Sequence, residues 1–268
     1  MSLQKTAVRP RTGLPRPSRA RLAALGRAEL TLLGRNRNSL ALALLMPAAM
    51  LFMLRSTVTG MSEADRPMGV GAATVVGGTG LILVLVLYMG LTATYTARRE
   101  ERVLKRLRTG EPTDLEILAG TALPSALIGL AQCAVLTAGA AALLGVPAPR
   151  RPDLLVLGIL AVALLSAGLA ALTSAFTRTV ETAGLTVLPL FLAAAMGSGM
   201  LVPREALSGT LADVCALLPF SGAMDFVRAG WLGTAGTGNL VRAAVLTLLW
   251  VMITGDAVRR RFRWEPRR

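Results

Sequence analysis

Six stretches of the chain stay mostly apolar over the length a helix needs to cross a bilayer: about Ser39 to Val58, Met68 to Tyr95, Ile117 to Val146, Leu154 to Phe176, Thr182 to Val202 and Leu240 to Val258. Roughly twenty residues at about 1.5 Å each match a hydrocarbon core of about 30 Å. Backbone groups in lipid must be paired within the segment, and none of the stretches alternates polar with apolar as a barrel strand would, so all six are predicted helices. In the first, the uninterrupted apolar part ends at Leu54, and Arg55 is expected to snorkel to the interface. Pro47, Pro124 and Pro189 fall inside spans and are read as kinks, because neighbouring helices can satisfy the carbonyl a proline frees.

The segments between the spans are of several kinds. Residues 1–18, "MSLQKTAVRPRTGLPRPS", are basic and proline-rich and are expected to be disordered, leaving 19–268 as one membrane domain. The stretch that follows, "ARLAALGRAELTLLGRNRNS", places Leu22, Leu25, Ala28, Leu32 and Leu33 on one side and predicts an N-terminal interfacial helix, although Arg21 and Glu29 intrude on that side. No cleavable secretory signal is read here, since the first apolar run starts near residue 39. Before the last span, residues 203–239 hold two short apolar runs separated by Pro219, each too short to cross; they predict outer helices that dip in and return.

Composition agrees with a lipid-solvated chain: 53% of the residues are hydrophobic and 16% are charged. The net charge of +14 would suggest nucleic acid in a soluble protein, but here the basic residues lie between apolar runs and aromatics make up only 4%, so nucleic acid is not an expected partner. Their distribution instead sets orientation. Twenty-two Lys and Arg fall before the first span, after the second, after the fourth and after the sixth, against seven on the opposite side. By the positive-inside rule both termini are cytoplasmic, in a multi-pass protein of the cell membrane. The chain has no histidine, and Cys133 and Cys215 stand alone without CxxC or Cys/His spacing; two free thiols are expected, and neither a metal site nor a disulfide framework.

The densest charge lies between the second and third spans. "TYTARREERVLKRLRTGEP", residues 94–112, carries six Lys/Arg and three acids in nineteen positions. Val103, Leu104 and Leu107 share one helical face, Glu101 and Lys105 have the spacing of an i,i+4 pair, and Gly110 and Pro112 are expected to stop the helix. A short helix with an apolar ridge and a charged fringe can insert into a groove on a soluble partner. A basic loop that lies on anionic lipid and fixes topology is the other reading.

"RREERVLKRLR", a turn, and "LAG" opening the next span resemble the cytosolic loop of type-2 ABC exporter permeases, with Arg99, Glu100, Leu104, Leu107 and Gly120 in matching positions. "VPREALSGTLADVCALLPFSGAMDFVRAGW" is similar to that family's segment before the last span, through Val202-Pro203, Leu218-Pro219 and Arg228. The resemblance runs from about Arg19 to the tail. It implies an all-α membrane subunit of six transmembrane helices, in which residues 99–107 (Arg99, Glu100, Glu101, Val103, Leu104, Lys105 and Leu107) form the cytosolic coupling helix. It also implies a separate ABC ATP-binding subunit carrying ATP and Mg, a second permease copy, identical or paralogous, and no cofactor on this chain. Two departures fall within the coupling segment. The family often has glycine two residues after the glutamate, where Arg102 stands here, and its turn proline comes one residue late, as Pro112.

Chemistry inside the spans is sparse. No P-loop occurs, and "GVGAATVVGGTG" (69–80) lacks the GxGxxG spacing, so its small residues predict close helix packing. No acid or base lies at mid-membrane depth, which argues against a proton-coupled carrier. Met46, Met50 and Met53 on the first span, and Met196 and Met200 on the fifth, recur at helical spacing; they are read either as packing or as an adaptable lining for a hydrophobic substrate. Thr92, Thr94 and Tyr95 add hydroxyls near the cytoplasmic mouth, though a threonine can also bond back to its own helix. Glu205, Asp213 and Asp225 form the one acidic grouping an embedded enzyme could use, and helix capping or solvated surface explains them more simply. The reading that results is export of a hydrophobic or amphipathic drug or natural product, with lipid or polysaccharide-precursor export as the alternative, ahead of a membrane-embedded enzyme or a non-transporting assembly factor of the same fold.

Overall fold

The computed structural model describes residues 70–108, 113–201, 209–233, 235–262 and 264, together with the isolated helical positions Leu45, Ala49 and Phe52. Apart from those three positions, the first span with its methionines Met46, Met50 and Met53, the interfacial segment and the N-terminal 18 residues lie outside the described residues. All the regular structure described is helical.

The second span is α1 (Val70–Leu83), a π-helical stretch (Val84–Met89) and α2 (Gly90–Glu100), joined without a break. In the π stretch the Gly90 N–H reaches the Leu85 carbonyl, five residues back. One residue inserted in this way turns the following helix by about 100° relative to an uninterrupted one. The short α3 (Val103–Arg108) follows, then α4 (Asp114–Leu144), α5 (Pro152–Phe176) and α6 (Val180–Gly197). Two short helices, α7 (Gly209–Ala216) and α8 (Ser221–Leu232), are bent by 95° at their junction, and α9 (Thr237–Arg261) completes the order. Among the described residues five helices are long and apolar enough to cross a membrane.

Local chemistry explains where the observed helices depart from the apolar runs. The third span starts at Asp114 instead of near Ile117 because Thr113 and Glu116 form a reciprocal capping box, and it ends where Gly145 takes the left-handed conformation, φ +63°. Pro152 occupies the first turn of α5, where its missing N–H costs nothing. Thr179 and Thr182 cap α6 reciprocally, and that helix ends at Gly197, short of the expected Val202. Both α4 and α6 run on through Pro124 and Pro189.

The α1–α2 span is the centre of the bundle, packed against α4, α5, α6 and α8, and its Val75, Ile82, Leu83, Leu87 and Leu91 are fully covered. Burial among apolar helices in lipid gains little from the hydrophobic effect, so close packing at small residues has to hold the spans together. The glycines show how. A Cβ added at Gly230 of α8 would lie 2.4 Å from the Leu155 backbone nitrogen of α5, and one at Gly158 of α5 would lie 2.6 Å from the Val227 nitrogen of α8. A Cβ at Gly77 would overlap the Met200 carbonyl oxygen, and one at Gly80 would lie 2.7 Å from the Met224 sulfur, so these two glycines of the 69–80 stretch allow close approach. In contrast, α9 turns Val241, Val245, Leu248 and Met252 outward.

Gly230→Ala is therefore expected to cost about 1–3 kcal/mol, because α5 and α8 must move apart. Gly184→Ala on the open face of α6, with nothing within 4 Å, should cost nothing. Thermal unfolding of the two variants in the same detergent checks this contrast.

Candidate functional site

The last turns of α2 form the polar junction of the bundle. Rotated inward past the π stretch, Tyr95, Thr96 and Arg99 are buried, with Arg99 only 1% exposed. The Tyr95 hydroxyl donates to the Leu118 carbonyl of α4 at 3.0 Å, and the Arg98 guanidinium donates to Thr121 Oγ1 of α4 at 3.1 Å. One residue further on, Arg99 donates to the Ser174 and Thr177 carbonyls, both at 2.5 Å. These carbonyls belong to the C-terminal end of α5, which carries partial negative charge, so a guanidinium there satisfies both hydrogen bonding and the helix dipole. Glu100 then accepts from the Val180 N–H at 3.2 Å, at the positive N-terminal end of α6. Three consecutive residues thus reach three different helices. Arg99 and Glu100 hold the two ends of one turn, residues 177–179, each with the charge its helix end favours.

A break in the helix follows. Glu101 caps α2, and Arg102 has φ +59°, the one non-glycine residue with positive φ among the described residues. The Arg102 N–H bonds back to the Arg99 carbonyl at 3.0 Å, closing the turn, and α3 starts at Val103. This is the position where the resembling family often has glycine. The left-handed conformation costs a residue with a Cβ about 1–2 kcal/mol, so the departure in sequence coincides with local backbone strain.

Residues 99–107 do not present their side chains as the sequence suggested. Leu104 is fully buried, while Val103 and Leu107 are half-buried; the apolar ridge is what fastens α3 to the bundle. Glu100, Glu101, Arg102, Arg106 and Arg108 are exposed, so the charged fringe is the surface a partner would meet. The turn at Arg102 places Glu101 and Lys105 on either side of a helix break, which interrupts the i,i+4 spacing read from the sequence. Lys105 lies within α3, its side chain outside those described. Arg99 belongs to the interior and not to the fringe.

Among the described residues read as lining a substrate path, Thr92, Tyr95, Met196 and Met200 are not brought together, and Met46, Met50 and Met53 lie outside those described. Thr92 is buried and bonds back to the Tyr88 carbonyl at 2.6 Å, and Tyr95 is committed to α4. Met196 is on α6 and points outward, whereas Met200 lies past the end of that helix, beyond the left-handed Gly199, and is buried against the Gly80 region. The two methionines therefore share no helical face. An open apolar hollow of about 400 Å³ that sequence reading did not mark lies at the opposite end of the bundle, lined by Leu130, Cys133, Thr137, Pro149, Ile159 and Trp231. Its walls come from α4, α5, α8 and the 145–151 connection, and no periodicity in one segment signals such a convergence. Asp225 pairs with Arg228 at 3.5 Å, Asp213 is exposed on α7, and Glu205 is outside the described residues, so no set of converging catalytic groups is seen among those described. Cys133 and Cys215 are free.

A bundle of long apolar helices, tied at one end by a buried arginine and a short charged helix, is the architecture of a multi-pass membrane protein. The family model for ABC-2 type transporters matches residues 20–232, most of the chain, and the protein belongs to that family. It is accordingly a membrane transport subunit and not itself an enzyme. Comparison with curated proteins returns no match.

Arg99→Gln should destabilise the protein by about 3 kcal/mol or more, since two charge-assisted hydrogen bonds are lost in the interior. Arg99→Lys should lie between, because one ammonium cannot span both carbonyls as the guanidinium does. Arg102→Gly should do the opposite and raise stability by up to about 1 kcal/mol. Unfolding midpoints of the three variants in detergent test the order Arg102→Gly, wild type, Arg99→Lys, Arg99→Gln.

Proposed function

We propose that the chain is the permease of an ATP-driven exporter that moves a hydrophobic or amphipathic drug or natural product out across the cell membrane. In this reading the arginine-rich end of the bundle and both termini face the cytoplasm. The exposed fringe of α3 meets an ABC ATP-binding subunit, which carries ATP and Mg, and two permeases, identical or paralogous, enclose the path. Members of the family normally pair with such a subunit. The observation that carries the reading is the junction at the end of α2. A push on α3 passes through Arg102 to Arg99 and Glu100, and from them to the joined ends of α5 and α6. Little compliance lies along this route, because packed helices shift as bodies and not by continuous deformation.

The open apolar hollow beside Trp231, with its mostly aliphatic lining, is in keeping with an apolar cargo. Lipid or polysaccharide-precursor export is the second reading, supported by the same lining for the acyl part of such a molecule.

Reversal of the exposed fringe, Glu101→Arg with Arg106→Glu, is expected to abolish co-purification with the ATP-binding subunit and substrate-stimulated ATP hydrolysis in liposomes, while the unfolding midpoint stays close to wild type. Retained association would remove α3 as the contact. Stimulation by a glycolipid but by no amphipathic drug would select the second reading.

A further inference from the structure

The chain beyond α9 folds back onto the coupling region. The Phe262 N–H bonds to the Val258 carbonyl at 2.9 Å, after which the backbone turns extended. The Phe262 ring meets Tyr95 edge-on, with centroids 6.2 Å apart and planes at 81°. Trp264 packs on Phe262 at 4.8 Å and 74°, and the Arg108 guanidinium lies 5.0 Å from the centroid of the Trp264 ring. Arg108 also donates from Nε to Asp114 Oδ1 at 3.1 Å, in the first turn of α4. Tyr95 itself is bonded to α4 at Leu118. These contacts form a closed circuit through the ends of α2, α9, α3 and α4. Both aromatic pairs have the edge-to-face arrangement that the ring quadrupoles favour, and the guanidinium lies within cation–π range of the indole.

The circuit answers a problem posed by α3. Six residues are too few to sustain a helix alone. Its first turn is fixed by the Arg102 turn and the buried Leu104, while its last turn has only the half-buried Leu107 and ends on the exposed Arg108, which is held from outside. We infer that Phe262 and Trp264 form a strap that positions the C-terminal end of α3, so that the last span is a second route into the coupling helix beside Arg99 and Glu100. This rests on the proposed function in taking α3 as the ATPase contact. Phe262 and Trp264 are positioning residues in that scheme.

Amide hydrogen exchange across residues 103–108 of the full-length chain tests the strap without any partner. Trp264→Ala should speed exchange there by about threefold or more, the loss expected for one cation–π contact together with its aromatic neighbour. Trp264→Tyr should restore most of the protection. Arg108→Gln, which also loses the Asp114 pair, should speed exchange at least as much as Trp264→Ala, and the double variant should be no worse than Arg108→Gln alone. Unchanged exchange in Trp264→Ala, or single effects that multiply in the double variant, would overturn the strap. In the assembled transporter Trp264→Ala should keep binding to the ATP-binding subunit within about twofold and transport less per ATP hydrolysed; equal transport per ATP would overturn the coupling role. If wild type binds no ATP-binding subunit, the proposed function fails, and the exchange result still decides whether the strap exists.

Discussion

A single arginine placed at the end of another helix organises this protein. Arg99 occupies the C-terminal end of α5, where unpaired carbonyls concentrate negative charge, and Glu100 occupies the N-terminal end of α6, where unpaired N–H groups concentrate positive charge. In lipid, helix ends need partners more than in water, since the alternative is an unpaired polar group in a poor solvent. The chain meets that need twice with adjacent residues of opposite sign. Arg98 and Tyr95 add two bonds to α4, so the end of α2 is fixed to each of the three spans that follow it.

That arrangement depends on features further along the same span. The π stretch at Val84–Met89 sets the rotation of α2 so that Tyr95 and Arg99 face inward, and Tyr88 within it shares a hydrogen bond with Thr173 of α5 at 3.2 Å. The strained turn at Arg102 then redirects the chain into α3. At the other end of the bundle the work is done by glycine. Backbones of α5 and α8 approach until no Cβ fits at Gly158 or Gly230, and the Trp250 indole of α9 donates to the Leu217 carbonyl in the bend between α7 and α8 at 2.9 Å. One end is therefore held by charge and the other by close packing.

Much of the architecture was legible in the sequence, because solvent quality dictates it. Five long apolar runs became helices, and the runs on either side of Pro219 became α7 and α8. Capping residues moved the ends by a few positions, as Thr113 and Glu116 show, since hydropathy reports where lipid is tolerated and not where a helix is capped. Facing was not legible. Leu155 and Val162 of α5 are buried while Val156 and Leu160 are exposed, and both sets are equally apolar, so no periodic contrast distinguishes them. For the same reason the outward Met196 and the buried Met200 looked alike. In the segment 99–107 the inward turn of Arg99 was not legible, because charge density gives no sign of which way a side chain faces. Arg102 was visible as a departure from the resembling family; its physical meaning, a left-handed turn on a residue with a Cβ, needed the backbone.

The central claim is that Arg99 and Glu100 make α3 and the 177–179 turn one mechanical unit. The distance between spin labels at positions 106 and 178, both exposed, tests it most directly, in a chain whose two cysteines are replaced by serine. The account predicts one narrow distance distribution in the otherwise wild-type chain and a broad one once Arg99 and Glu100 are both replaced by glutamine. A distribution that stays equally narrow after both replacements would contradict it.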